Sequence, residues 1–194
     1  MPPKALPPAH HVDIDPSNSR PLGPPLKLTH AEELGAVMAY LTNLGANAMI
    51  PVSIDPTIPV DPQLILEFNT RSPRAREEVK SLVADTWAAN PVVVISEVRS
   101  SRQPASKTVK AILEDLDLSP LPIEMDVDLR SDGERLRRLM YRLTRSKSVP
   151  IVLVGGKAIG TVDEFEKQHA NGQLHKKILA AGTKIRAGKS KKMR

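Results

Sequence analysis

Ser148-Val149-Pro150-Ile151-Val152-Leu153-Val154-Gly155-Gly156-Lys157-Ala158-Ile159-Gly160-Thr161-Val162-Asp163 packs a strand, a turn, a second strand and a helix start into one short stretch. Pro150 opens a run of apolar, mostly β-branched residues, Ile151 to Val154, the composition of a strand covered on both faces. Gly155-Gly156 is a two-residue hairpin signal, because both turn positions need a positive φ. It predicts a short returning strand over Lys157–Ile159. Thr161 and Glu164 have capping-box spacing, in which hydroxyl and carboxylate satisfy the orphan amides of a helix start. Helices over Val162–Ala170 and Leu174–Ala181 are expected to follow.

Upstream, the periodicity alternates between the two kinds of element. Val79, Leu82, Val83 and Trp87 fall on one helical stripe that Asn90-Pro91 ends. Val92 to Ile95 is a second β-branched run and predicts a buried strand. Pro104 to Asp117 reads as a helix with Val109, Ile112, Leu113 and Leu116 in register, and Ile123 to Val127 as a strand. Ser131 to Glu134 offers another capping box, opening a helix that buries Leu136, Leu139, Met140 and Leu143. The order from residue 74 onward is α, β, α, β, α, β, β, α, α. Two parallel strands joined through a helix, then a helix, a hairpin and terminal helices, are compatible with several α/β sandwiches.

The motifs narrow the choice. Ser148 to Asp163 closely resembles the glutaredoxin pattern T-V-P, apolar strand, x-G-K-x-I-G-G-x-D. His169-Ala170-Asn171-Gly172-Gln173-Leu174 resembles that family's H-x-x-G-x-L. Val92 to Ser96 is similar to its first strand, and Ser106 to Leu113 to the helix after its active site. The similarity covers about Asn90 to Gly182, and within the family it is nearest to the fungal type. It implies a thioredoxin-like, three-layer α/β sandwich with a central four-stranded mixed sheet. It also implies a cis peptide at Val149–Pro150.

In that family the nucleophile is a cysteine of C-x-x-C or C-x-x-S at a helix N-terminus, where the dipole and free amides favour a thiolate. This sequence contains no cysteine. Disulfides, thiolate metal sites and cysteine-ligated clusters are therefore excluded. Anchoring on Ser106-Lys107 sets Gln103-Pro104-Ala105-Ser106 on the motif, with Gln103 at the nucleophile position; anchoring without a gap from Ser96 sets Ser100 there. Neither is a thiol, and Ser100 has no nearby base to activate it.

The resemblance also implies a glutathione groove. Val149 with Pro150 would pair with the cysteinyl backbone, Gly160, Thr161, Val162 and Asp163 would hold the glutamyl end, and Lys147, helped by Arg145, would supply a cation. Two residues depart from the pattern. Glu97 stands where the family often has lysine, a charge reversal toward an anionic ligand, and Thr161 replaces the second glycine of G-G-x-D. Pro150, Thr161 and Asp163 equally suit a purely structural role as turn and cap.

The remainder is read from composition. Prolines at 2, 3, 7, 8, 16, 21, 24 and 25 make residues 1–28 a disordered, Pro-rich extension. Thr29 to Glu32 is a capping box for a helix running to about Leu44, with Leu34, Val37, Met38 and Leu41 on one face. Prolines at 51, 56, 59 and 62 then break any long element, apart from a short strand over Leu64–Phe68. Residues 29–73 read as either an embellishment packed on the main domain or a partner-binding arm. With so many prolines early in the chain, the core is expected mainly downstream, in a domain over 74–183.

Net charge is +6, but Lys184 to Arg194 holds six basic residues and no acid, leaving 22 of each sign elsewhere. The basicity is a tail over 184–194. Aromatics are too few for a single-stranded nucleic-acid platform, so nucleic acid is not an expected partner. Arg135, Arg137, Arg138, Arg142 and Arg145, beside Asp126, Asp128, Asp132 and Glu134, read as a solvated, internally paired face. His10-His11 and the pair His169 and His175 are not read as metal sites. No run reaches the roughly 20 apolar residues of a membrane span. No leader is evident, so the expected location is the cytoplasm, with the tail as a route to the nucleus.

Together these readings point to a redox-inactive glutaredoxin-like protein that is not an enzyme. It would act as a binding module for an unidentified protein partner and need no cofactor, with glutathione as a candidate ligand. The alternatives are a glutathione-dependent, transferase-like enzyme and an RNA- or ribosome-associated protein using the tail. Family membership alone would say glutathione-disulfide oxidoreductase.

Overall fold

The computed structural model describes residues 23–43, 48–99 and 103–186. Six helices, α1 (His30–Asn43), α2 (Ala75–Ala89), α3 (Gln103–Asp115), α4 (Gly133–Thr144), α5 (Val162–Ala170) and α6 (Gln173–Ala180), surround a sheet. Its strands are β1 (Val92–Ser96), β3 (Ile123–Asp126), β4 (Ile151–Val154) and β5 (Lys157–Ala158). Two further short strands, β2 (Leu118–Ser119) and β6 (Lys184–Ile185), pair with each other. The main sheet has the order β3-β1-β4-β5, with β1 parallel to β3 and antiparallel to β4, and β4 antiparallel to β5. This is the mixed four-stranded sheet of a thioredoxin-like fold.

Strand periodicity divides the core in two. Val93, Ile95, Ile151 and Leu153 face one way, onto α1, α2 and α4. Val92, Val94, Val152 and Val154 face the other, onto α3, α5 and α6 through Val109, Leu113, Phe165, Leu174 and Ile178. A sheet covered on both faces needs continuous apolar strands, which explains why β1 and β4 lack polar alternation. The hairpin turns at Gly155 and Gly156, with φ of 55° and 78°. A side chain at Gly156 would lie 2.7 Å from the Trp87 indole, so the turn is also fixed by the helix packed above it. None of the described helices is long and apolar enough to cross a membrane.

Several expectations are corrected. The core is built mainly downstream of residue 74, as anticipated, but not wholly so: eleven of the 23 buried residues in the larger cluster come from Leu34 to Leu66. Helix α1 caps at Thr29 and Glu32 as anticipated, with Oγ1 and Oε2 accepting the two amides. The segment after it is packed rather than free, burying Ile50, Ile54, Val60 and Ile65 without a regular period. Leu64–Phe68 forms no strand. Asp61 caps a single 3-10 turn over Pro62–Leu64, and the Leu66 amide donates back to Pro62.

Residues 23–28, assigned to the disordered extension, are held along the domain. Gly23 donates to the Arg71 carbonyl at 3.2 Å, Arg76 donates to the Lys27 carbonyl, and Leu26 and Leu28 pack on the core. Lys184 and Ile185, assigned to the tail, form β6, and Arg186 donates to the Asp117 carbonyl. His10, His11 and the rest of the basic tail lie outside the described residues. Ser131–Glu134 is not a capping box, because Asp132 is the N-cap and its carboxylate turns away from the helix, to the Ile50 amide at 2.6 Å and to Arg130. Burial alone would raise the Asp132 carboxyl, yet the Arg130 and Ile50 donors outweigh it and hold its pKa below the ordinary value.

The arginine run is not a simple solvated face. Arg138 pairs with Glu134 at the surface, but Arg142 forms a two-point ion pair with the buried Glu33 of α1, at 2.6 and 3.0 Å. Arg142 also donates to the Pro56 carbonyl, and Glu33 accepts the Val60 amide. Arg135 donates to the Ile50 carbonyl. Three arginines of the run thus point inward: Arg135 and Arg142 clamp the 50–60 segment, and Arg137 turns to Glu97.

Candidate functional site

Two places on the sheet matter, both at the C-terminal end of β1 or beyond it. β1 hands the chain to Glu97, and α3 begins at Gln103, so the degenerate motif Gln103-Pro104-Ala105-Ser106 forms the first turn of that helix. Proline is well suited there, since its missing N–H is one of the orphans. Ser106 is buried, and its Oγ accepts the Glu97 amide at 3.4 Å. Ser100, the alternative position, lies outside the described residues. The loop after β1 is tied by Asp128, whose carboxylate accepts the Val98 and Arg99 amides at 2.6 to 3.1 Å. Desolvation would raise this carboxyl, but the two amides prevail and keep its pKa below the ordinary value.

Glu97 does not face a ligand as a bare charge. It is 4% exposed and pairs with Arg137 of α4 at 2.7 Å. The reversal that sequence comparison suggested is neutralised internally, by a residue forty positions away that carried no local signal.

The second place is a groove of about 440 Å³. It is lined by Thr144, Arg145, Ser146, Lys147, Ser148, Pro150, Ala158, Gly160, Thr161, Val162 and Glu164. It brings together five of the seven residues assigned to glutathione: Lys147, Pro150, Gly160, Thr161 and Val162. Val149 lies behind it with its side chain buried, and Asp163 is exposed just beyond. The Val149–Pro150 peptide is cis, and so is Ser119–Pro120. Among the described residues nothing hydrogen-bonds the Val149 amide or carbonyl, which leaves both for an extended ligand.

Across the groove, Thr161 and Glu164 form the expected capping box, at 3.3 and 2.8 Å. The Val162 and Asp163 amides, at the first two positions of α5, are left without an acceptor and suit a carboxylate. Gly160 has φ of 107°, and a Cβ there would fall 2.0 Å from the Glu164 carboxylate, so the turn and the cap depend on one another. Sequence reasoning missed Glu164 as a groove residue, although the capping box pointed to it. Arg145 was named only as an aid to Lys147. It ends α4 with φ of 58°, a left-handed conformation that carries the chain into the groove wall.

His169 and His175 stack, with ring centroids 5.5 Å apart and planes 16° apart. Among the described residues no group of three or more potential metal ligands occurs.

No family model matches the chain. Known proteins do. Monothiol glutaredoxin-S12, chloroplastic, of Arabidopsis thaliana is 28% identical over 158 residues, covering 77% of this chain and 84% of that protein. Glutaredoxin of Ricinus communis is 32% identical over 108 residues, covering 56% of this chain and 97% of that protein. The chain belongs to the glutaredoxin family. Among solved structures, wheat glutaredoxin is 28% identical over 51% of this chain and 89% of its own, with a TM-score of 0.44. Measured against its family, this glutaredoxin keeps the sheet, the T-V-P-like turn and the capped α5, and lacks any cysteine.

Proposed function

We propose that this glutaredoxin binds without catalysing: it takes glutathione weakly in the groove, serves as an interaction module for a partner protein, and performs no thiol–disulfide exchange. What supports the reading above all is the groove itself. Its walls include Pro150, next to an unpaired Val149 backbone, the start of α5, with two free amides, and the cations Lys147 and Arg145, in a chain with no cysteine. Thiol–disulfide exchange begins when a thiolate attacks a disulfide sulfur, and no side chain here can form that mixed disulfide. Backbone pairing and helix-end amides need no thiol and persist when it is gone. Glu164 sits in the same groove and opposes an anionic ligand, which keeps the affinity low.

Glutathione titrated into isotopically labelled protein tests this residue by residue. Amide signals of Lys147, Val149, Val162 and Asp163 are expected to move in the millimolar range. Reduction of a small mixed disulfide by glutathione is expected to stay at the no-protein rate. Turnover in rigorously purified protein would sink the non-catalytic reading, and an unmoved groove would sink the glutathione reading.

A further inference from the structure

β3 is one edge of the sheet, and the groove lies across the sheet from it, on β4, β5 and α5. β1 takes the inner side of β3, and no described residue outside the ladder hydrogen-bonds its backbone. The strand period sorts its side chains. Met125 is buried in the cluster under α1 and α4, and Ile123 packs against it. Glu124 and Asp126 point to the opposite face, where Lys110 of α3 holds both, at 2.7 and 2.9 Å.

A cavity flanks each face of this edge. One, of about 420 Å³, is bordered by Leu41, Ile123, Met125 and Leu129, with Thr42 and Arg130 at its margin. The other, of about 310 Å³, is bordered by Leu113, Glu114, Asp117, Leu121 and Glu124. Leu121 is 78% exposed and Leu129 is 53% exposed, before and after the strand. The second side is strongly acidic. Glu114, Asp117 and Glu124 border it together with Lys110, Asp126 shares Lys110 on the same face, and Glu114 and Asp117 have no ion pair among the described residues.

We propose that β3 is a docking edge for an extended segment of a partner protein in which apolar residues alternate with lysine or arginine. Such a segment would add a strand to the sheet, its backbone satisfying the outer groups of β3. Period two then sends its apolar side chains into the first cavity and its basic ones over the second. Charge chooses this occupant over a second copy of the chain. An antiparallel β3–β3 pair would set Glu124 and Asp126 against their own kind, and like charges directly opposite destabilise a ladder.

The test uses the full-length labelled protein and two synthetic octapeptides, one alternating valine with lysine and one alternating valine with glutamate. The basic peptide is expected to shift the amides of residues 123–126 and to slow hydrogen exchange at the outward-facing ones. The acidic peptide should bind about tenfold more weakly or worse. Glu124→Lys should weaken the basic peptide by about tenfold. Leu121→Lys, at an exposed position that folding does not depend on, gives the same readout if the first variant is unstable. Absence of binding at millimolar peptide overturns the proposal. So do equal affinities for the two peptides, shifts confined to other parts of the sheet, and self-association that protects the β3 amides without peptide.

Discussion

Replacing Glu33 by alanine should destabilise this protein far more than the loss of an ordinary helix glutamate. The Glu33 side chain is 5% exposed and the Arg142 side chain 22%. Truncation leaves the guanidinium with the Pro56 carbonyl and the more distant charge of Asp55, and the Val60 amide loses its acceptor. Breaking a buried pair from one side costs about 3–5 kcal/mol, and an orphaned buried amide about 1–3 kcal/mol. The two overlap, because water reaching the void serves both groups, and Arg142 keeps some contact with solvent. The expected loss is about 4 kcal/mol, which at ~2–4 °C per kcal/mol for a chain of this size lowers Tm by roughly 8–16 °C. Urea unfolding followed by Trp87 fluorescence and far-UV circular dichroism measures it. The double variant Glu33→Leu/Arg142→Met removes both charges and should be less unstable than the two single losses added, by about 2 kcal/mol or more. Single variants costing under about 1 kcal/mol, or adding within ~0.5 kcal/mol, would refute the clamp.

Asp132→Asn should cost stability at neutral pH but progressively less in acid. The folded Asp132 pKa lies below its ordinary value of 3.8, so its contribution is full above that value and is lost as pH falls through the folded one. Urea midpoints of variant and wild type should therefore converge below about pH 4, and a constant gap would count against the assignment. Gly160→Ala combines an unfavourable φ of 107° with a collision at Glu164 and should cost about 2–3 kcal/mol; a neutral effect by urea unfolding would show that turn and cap are independent. Gln103→Cys places a thiol in the first turn of α3, with Glu97 already neutralised by Arg137. Its pKa, from the pH dependence of alkylation, should fall below the free value of about 8.5, and an unshifted thiol would place the old nucleophile elsewhere.

What could be read in the sequence was whatever is encoded locally. The runs Val92–Ile95 and Ile151–Val154 announce strands through composition alone, Gly155-Gly156 through backbone freedom, and Thr161 with Glu164 through a three-residue spacing. What could not be read depends on partners far along the chain. Asp132 abandons its own helix for an amide 82 residues away, and Glu134 spends its carboxylate on Arg137 and Arg138, so a perfect capping spacing goes unused. Between Ile50 and Ile65 the prolines abolish any period, so the burial of Ile54 and Val60 leaves no pattern to detect. The groove followed the same rule. Its motif residues were legible, while the Glu97–Arg137 pair that sets the charge at the end of β1 was not.

Helix α1 and the residues after it have a consequence for where this protein can be cut. Residues 74–186 hold the whole sheet, yet released alone they would lose the eleven buried residues that Leu34 to Leu66 contribute to the larger core cluster and expose the apolar surface those residues cover. An apolar surface of that kind drives self-association rather than folding. The length of chain that carries the sheet and the length that is self-sufficient are therefore different. A change near the amino terminus, remote from every groove residue, can destabilise the whole simply by stripping apolar cover from the helices that flank the sheet.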